Sequence, residues 1–166
     1  MGILIQNTDF VGKYDIAYNT AGRVTLDAFI EQYETNYLYD LLGKTLADLF
    51  IESVDNYLPV EAEYLAIYNV IELDLTCSVE RNEGMKNMLL GFIYFEYMRK
   101  FPIMSTPVGQ VVSSNENSTP TMDNWGMANR YNSSVNDYQI IQYYINQNLT
   151  SYPNYKGQYK GYTTPF

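Results

Sequence analysis

Residues 25–50 read TLDAFIEQYETNYLYDLLGKTLADLF, and this stretch decides the fold. Its apolar residues recur every three or four positions, which predicts a long amphipathic helix with acidic side chains on the opposite face. Thr25 has the position of an N-cap, where its hydroxyl would accept a hydrogen bond from a first-turn amide. Gly43 predicts the end of this helix, because glycine readily adopts the left-handed conformation that helix ends often need. A second, shorter helix follows up to Phe50.

Three further segments have helical signals. Pro59 and the glutamates after it predict a helix over residues 60–69, since proline and acidic side chains favour a first helical turn. Residues 82–101 form the most hydrophobic segment and predict a central helix that Pro102 prevents from continuing. A last helix is predicted over residues 123–148, where apolar side chains again follow steps of three and four.

Several segments have weaker signals. Gly91 lies inside the central helix, where glycine costs about 1 kcal/mol relative to alanine, and this predicts a close crossing with another helix. Residues 70–82 fit either a strand or irregular structure, and residues 1–22 fit an ordered arm. The chain is therefore predicted to be mainly α: a bundle of about four to five helices with a long loop or β-hairpin insertion and extended terminal arms.

Composition excludes many kinds of active site. The chain contains no histidine and one cysteine, Cys77. Serine–histidine or cysteine–histidine activation and imidazole zinc sites are therefore absent, and Cys77 is expected to be buried and inert. We expect no catalytic residue, cofactor or metal ion. The N-terminus lacks the pattern of a signal peptide, and no run of about 18 apolar residues occurs, so a soluble cytoplasmic protein without membrane contact is expected.

The net charge of −9 argues against a protein that wraps nucleic acid, because binding to the phosphate backbone needs clustered lysines and arginines. An acidic passage would instead repel DNA weakly and let it slide. The alternative is that the charge only keeps the protein soluble.

The segment between the last two helices is rich in Ser, Thr, Asn, Pro and Gly, so residues 102–122 are predicted to be a projecting loop or hairpin. Long loops in compact domains are usually functional or disordered. Within it, the residues VGQVV have the β-branched character to pair as a strand with a neighbouring chain. Trp125 follows, and it fits either a core anchor, which is the commoner role, or an interface contact. The interface candidates of this region are Val108, Val111, Val112 and Trp125.

Residues 150–166 form a second unit beside the helical domain of residues 1–149. This tail reads TSYPNYKGQYKGYTTPF and has no predicted core of its own. Rigid aromatic side chains on an extended backbone can anchor an arm on another subunit, since they give contact area at low entropic cost; disorder is the alternative. We expect removal of the tail to leave the helical domain folded and to weaken assembly. Its interface candidates are Tyr152, Tyr155, Tyr159, Tyr162 and Phe166.

The order of these elements resembles a known family. FIEQYETNYLYDLLGKTLADLF, then GMKNMLLGFIYFEYMRKF, then STPVGQVVSSNENST and a helix with a tryptophan are similar to the head-to-tail connector, or neck adaptor, proteins of tailed bacteriophages. The likeness is greatest to those of crAss-like phages of gut Bacteroidales bacteria. It covers residues 25–148 and depends on texture and element order, since the family has no catalytic signature.

The resemblance implies a virion protein of the phage neck, made in the host cytoplasm. Its expected partners are further copies of itself in a ring, commonly of twelve, the portal protein, other neck or tail proteins, and DNA that passes through the ring without sequence-specific binding. The projecting loop and the tail match the segments that reach neighbouring subunits. The candidates for facing the DNA channel are acidic residues on helix surfaces: Glu31, Glu34 and Asp40.

Two other classes of function remain open at this point. A carboxylate-dependent enzyme would use Glu72 with Asp74, or Glu96 inside the central helix, although Glu96 more readily fits an ion pair with Arg99 or Lys100 at the edge of the core. A monomeric helical binding module would use its tyrosine-rich tail to hold a different partner. Self-assembly or binding to the portal would separate a connector from such a module.

Overall fold

The computed structural model describes residues 2–16, 20–75, 78–100, 103–106, 109–112 and 124–163. The described chain is mainly helical, as predicted. Its five α-helices are α1 (Thr20–Leu42), α2 (Lys44–Glu52), α3 (Ala62–Tyr68), α4 (Met85–Lys100) and α5 (Asn124–Gln147). Three short antiparallel hairpins complete the described elements: β1 (Val54–Asp55) with β2 (Leu58–Pro59), β3 (Glu72–Leu75) with β4 (Ser78–Arg81), and β5 (Ile103–Thr106) with β6 (Gly109–Val112).

The break between α1 and α2 lies where the sequence placed it. Gly43 has a φ of 76°, a left-handed conformation that favours glycine. The start of α1 was predicted wrongly, because the helix begins at Thr20 and Thr25 lies inside it rather than capping it. A cap signal is local, and residues upstream of it can continue the helix.

The N-terminal residues form an ordered arm in their described part. Two single turns of 3₁₀ helix occupy Asn7–Asp9 and Gly12–Tyr14. Apolar side chains of the arm join the core, so the arm belongs to the folded body. The buried members are Leu4, Ile5, Phe10, Tyr14 and Ile16.

The hydrophobic core lies between α1, α4 and α5. Phe92 at its centre stacks on Tyr37 of α1, with ring centroids 4.4 Å apart, and meets Tyr138 of α5 edge-on at 6.1 Å. Such aromatic pairs contribute beyond the apolar area that they bury. Tyr37 and Tyr138 are both buried, so one chain of rings ties the three long helices together.

Helices α4 and α5 run antiparallel and cross closely at Gly91. Asn87 contacts Asp137 near the start of α4, while Phe95 contacts Tyr131 further along it. A Cβ on Gly91 would lie 2.0 Å from Ser134 Oγ, far inside contact distance. The close crossing predicted from Gly91 is therefore confirmed, and it places the end of α4 beside the beginning of α5.

Candidate assembly surfaces

The acidic residues predicted to face a channel lie in three different environments. Glu34 is fully buried, so its expected exposure on the polar face of the helix is wrong. One of its oxygens accepts hydrogen bonds from the backbone N–H groups of Leu4, at 2.6 Å, and Ile5, at 3.0 Å. The other accepts from the Ile3 N–H at 2.6 Å. Glu34 therefore holds the N-terminal arm on α1.

Burial raises the pKa of Glu34 above its usual value, and the three backbone hydrogen bonds oppose that shift. The carboxylate satisfies amides that would otherwise be buried without partners, which gives it a structural role. Gly2 belongs to the same arrangement, because a Cβ there would lie 2.0 Å from the Ile5 carbonyl oxygen.

Glu31 and Asp40 remain at the surface. Glu31 is exposed and lines an open depression of about 360 Å³ together with Asp27, Tyr57 and the N-terminal arm. Asp40 is half-buried and accepts a hydrogen bond from Lys160 Nζ at 3.1 Å. Their orientation toward a DNA channel stays a prediction.

The C-terminal tail lies on its own helical body. Its backbone N–H groups at Lys156 and Gln158 donate to the carbonyl oxygens of Leu42 and Asp40, which belong to the last turn of α1. Helix C-termini leave such carbonyls without helical partners, so the tail caps α1. A Cβ on Gly157 would lie 2.0 Å from the Leu41 carbonyl oxygen, which shows how closely the backbone of the tail passes α1.

Side chains of α5 hold the other side of the tail. Tyr138 and Gln142 both donate to the Gln158 carbonyl oxygen at 2.7 Å. Lys160 Nζ lies 4.5 Å from the centroid of the Tyr37 ring, within cation–π range. We call residues 152–163 the strap, since this segment joins α1 to α5.

The interface role expected for Tyr152 is wrong. Its side chain is 2% exposed, and its hydroxyl donates to the Glu63 carbonyl oxygen at 2.7 Å. Tyr155 is half-buried against the core. Tyr159 and Tyr162 are 81% and 57% exposed, so their contact with another subunit stays a prediction. Phe166 lies outside the described residues.

The segment after α4, which the sequence predicts to be a projecting loop or hairpin, contains a hairpin. Val111 and Val112 of β6 pair with Met104 and Ile103 of β5, so the expected strand pairs with its own chain along this edge. Pairing of a second edge with a neighbouring chain stays a prediction. Val108 and residues 113–123 lie outside the described part, as does Cys77.

Trp125 is exposed at the beginning of α5. Its side chain is 65% exposed, which contradicts the commoner role of a core anchor and leaves the interface role. Because α4 and α5 are antiparallel, Trp125 lies at the end of the pair from which the β5–β6 hairpin departs. Helix periodicity could not place it, since the stripe of α5 becomes buried only from Met127 onward.

The carboxylates considered for catalysis lie in two places, at the edge of the core and on the surface of β3. Glu96 accepts hydrogen bonds from Tyr37 at 3.2 Å and from Arg99 at 2.7 Å, which confirms its predicted pairing at the edge of the core. Glu72 and Asp74 are exposed on β3.

Asp137 is a buried carboxylate that the sequence did not single out. It accepts hydrogen bonds from the Glu83 N–H at 3.1 Å and from Asn87 Nδ2 at 3.3 Å, and burial raises its pKa to about 6. Only the packing of α5 on the start of α4 reveals its burial.

No protein-family model matches the chain, and no curated protein or solved structure matches it. Within the described ranges, no three or more carboxylate or cysteine side chains are grouped so as to hold a metal ion. None of the described helices combines the length and the apolarity that crossing a membrane requires.

Proposed function

We propose that this protein is a structural subunit of the neck of a tailed bacteriophage, where copies form a ring that joins the portal to the tail. The observation that carries the proposal is the contrast between a packed helical body and an exposed tryptophan at one end of it. The body is packed around Phe92, while Trp125 is exposed at the beginning of α5, at the end of α4 that the β5–β6 hairpin follows. A ring subunit needs a rigid body and projecting elements that meet its neighbours.

The order of elements along the chain also supports the proposal. A helical hairpin, a central hydrophobic helix, a β-hairpin and a helix with tryptophan follow one another, and this is the order on which the resemblance to connector proteins depends. The net charge of −9 suits a ring that DNA passes through, because an acidic surface does not retain the phosphate backbone. We assign no catalytic residue and no cofactor.

Electron microscopy of the purified chain with the portal protein encoded by the same phage genome tests this function. We expect rings of the chain seated on one face of the portal, with a continuous central channel. A portal from an unrelated phage is the matched control and should stay bare. Free monomers beside bare cognate portals would contradict the proposal.

A second candidate is a monomeric binding module, and the exposure of Tyr159 and Tyr162 favours it. Both tyrosines belong to the strap, and the Tyr162 hydroxyl donates to Gln139 Oε1 at 3.4 Å. Aromatic side chains held in place by a folded surface lose little entropy on binding. This module would bind its partner as a monomer and would not bind the portal, so electron microscopy with the portal separates the two candidates.

A further inference from the structure

Charge is distributed unevenly along the fold. Residues 44–82, which form α2, α3 and the first two hairpins, contain eight acidic residues and two basic residues. They therefore carry six of the nine net negative charges. The other 127 residues carry only three. Such asymmetry within one molecule favours contact between unlike surfaces of two copies.

The β3–β4 hairpin belongs to this acidic segment, and one of its faces combines two carboxylates with an exposed apolar residue. In the register of this hairpin, Asp74 lies opposite Val79 and Glu72 lies opposite Arg81, so these four side chains share one face. All four are exposed, and Val79 is 61% exposed. The residue directly opposite Asp74 is therefore apolar, and Arg81 lies diagonally from Asp74 on the same face. We call these four residues the hairpin face.

The opposite kind of surface lies where α4 ends and α5 begins. Arg99 and Lys100 are exposed in the last turn of α4, and Trp125 is exposed in the first turn of α5. Arg99 pairs with Glu96, which is itself mostly buried, and Lys100 Nζ lies 5.2 Å from the centroid of the Phe29 ring. Tryptophan and arginine are the residue types most enriched at the centres of interfaces. We call Arg99, Lys100 and Trp125 the basic end.

The two surfaces are attached to opposite ends of α4. The hairpin face leads into α4 through Asn82, whose N–H donates to the Ile71 carbonyl oxygen at the base of the hairpin. Helix α4 has 16 residues and is therefore about 24 Å long. The hairpin face and the basic end are thus different surfaces of one molecule.

We propose that the hairpin face of one copy binds the basic end of the next copy, with Trp125 against Val79 and with Arg99 and Lys100 facing Glu72 and Asp74. A contact between unlike surfaces propagates from copy to copy, and it closes into a ring when the rotation between copies allows. The proposal deepens the proposed function, because it names the contact by which the ring subunits join. The contact itself can be measured without the portal.

A pair of charge-reversed variants tests this contact. One carries Glu72→Lys and Asp74→Lys, and the other carries Arg99→Glu and Lys100→Glu. Each variant alone opposes like charges at the contact, whereas an equal mixture restores opposite charges at every contact. We expect the wild-type chain to associate with increasing concentration in sedimentation equilibrium. Each variant alone should associate at least about tenfold more weakly, and the mixture should recover wild-type association.

Controls separate this contact from general charge effects and from misfolding. The variant with Glu52→Lys and Asp55→Lys makes the same change in net charge at two other exposed acidic residues of the 44–82 segment and should associate like wild type. Circular dichroism should show that every variant keeps the helical fold. The Trp125→Ser variant leaves all charges in place and should also weaken association, so the inference stays testable if the Arg99 variant fails to fold.

Trp125 also reports the contact directly, since it is the only tryptophan. Its emission should move to shorter wavelength as the chain associates, because the ring becomes shielded from water. Three results would overturn the inference: a wild-type chain that stays monomeric at all concentrations, a mixture that associates no better than its two components, or association without a change in Trp125 emission. If rings form on the portal but the mixture of variants does not associate, the neck function stands and this contact is ruled out. If the mixture associates but the portals stay bare, the contact stands and the neck function is ruled out.

Discussion

Replacement of Gly91 by alanine should destabilise the protein through the crossing of α4 and α5. The added Cβ would lie 2.0 Å from Ser134 Oγ, 3.2 Å from the Tyr14 hydroxyl and 3.3 Å from the Arg130 carbonyl oxygen. Overpacking of a well-filled core costs about 1–3 kcal/mol, and the first of these contacts is severe, so we assign about 3 kcal/mol to the overpacking. Alanine has a higher helix propensity than glycine, which offsets about 1 kcal/mol of this cost. We expect a net loss of about 2 kcal/mol in the free energy of unfolding.

Ser134→Ala provides the matched second substitution for this test. Among the described residues, the buried Ser134 hydroxyl has no hydrogen-bond partner, so its removal alone should change stability little or raise it. In the double variant the severe contact disappears while the gain in helix propensity remains, so the coupling energy between the two sites should approach the overpacking cost of about 3 kcal/mol. Urea unfolding followed by far-ultraviolet circular dichroism measures all four proteins, with constant m-values as the check on two-state behaviour. A Gly91→Ala variant as stable as wild type, or a double variant no better than Gly91→Ala, would refute the reasoning.

Three further predictions concern the arm, the strap and pH. Glu34→Ala leaves three amides without their acceptor and should lower the free energy of unfolding by at least about 3 kcal/mol. Amide hydrogen exchange should accelerate first in residues 3–5, and unchanged protection there would contradict the role of Glu34. Deletion of residues 150–166 removes buried Tyr152 and should cost at least about 3 kcal/mol in urea unfolding, whereas a truncated chain of full stability would show that the strap contributes nothing. Because burial raises the pKa of Asp137 to about 6 from 3.8, its contribution to stability is present at low pH and is lost as pH rises from about 4 to about 6. The shift corresponds to at most about 3 kcal/mol, and Asp137→Asn should remove that part of the pH dependence of unfolding.

The deletion prediction differs from the one that the sequence alone supports. As a tail without a core of its own, residues 150–166 would be removable without harm to the helical domain. The structure instead places Tyr152 in the core and uses the strap to cap the last turn of α1. A truncated chain that fails to assemble would therefore report lost stability as well as a lost arm, so stability must be measured beside assembly.

The sequence by itself determined where most helices begin and end. Gly43 separates α1 from α2, and α4 ends at Lys100, two residues before Pro102, because glycine and proline restrict the backbone locally. Gly91 also predicted the close crossing, since glycine inside a hydrophobic helix has a low helix propensity that only packing can offset. These signals lie within a few residues of their effects, so they can be seen in the chain without knowledge of the fold.

Only the tertiary structure decided which polar residues are buried and where the terminal segments lie. Glu34 appeared to belong to an exposed helix face, but its partners are about 30 residues away in the sequence. Lys160 meets Asp40 across 120 residues, and this contact fixes the strap on its own subunit. Helical periodicity specifies the apolar face of a helix, yet it does not specify what covers the polar face. The covering segment is selected by hydrogen bonds and packing that form only when distant parts of the chain come together.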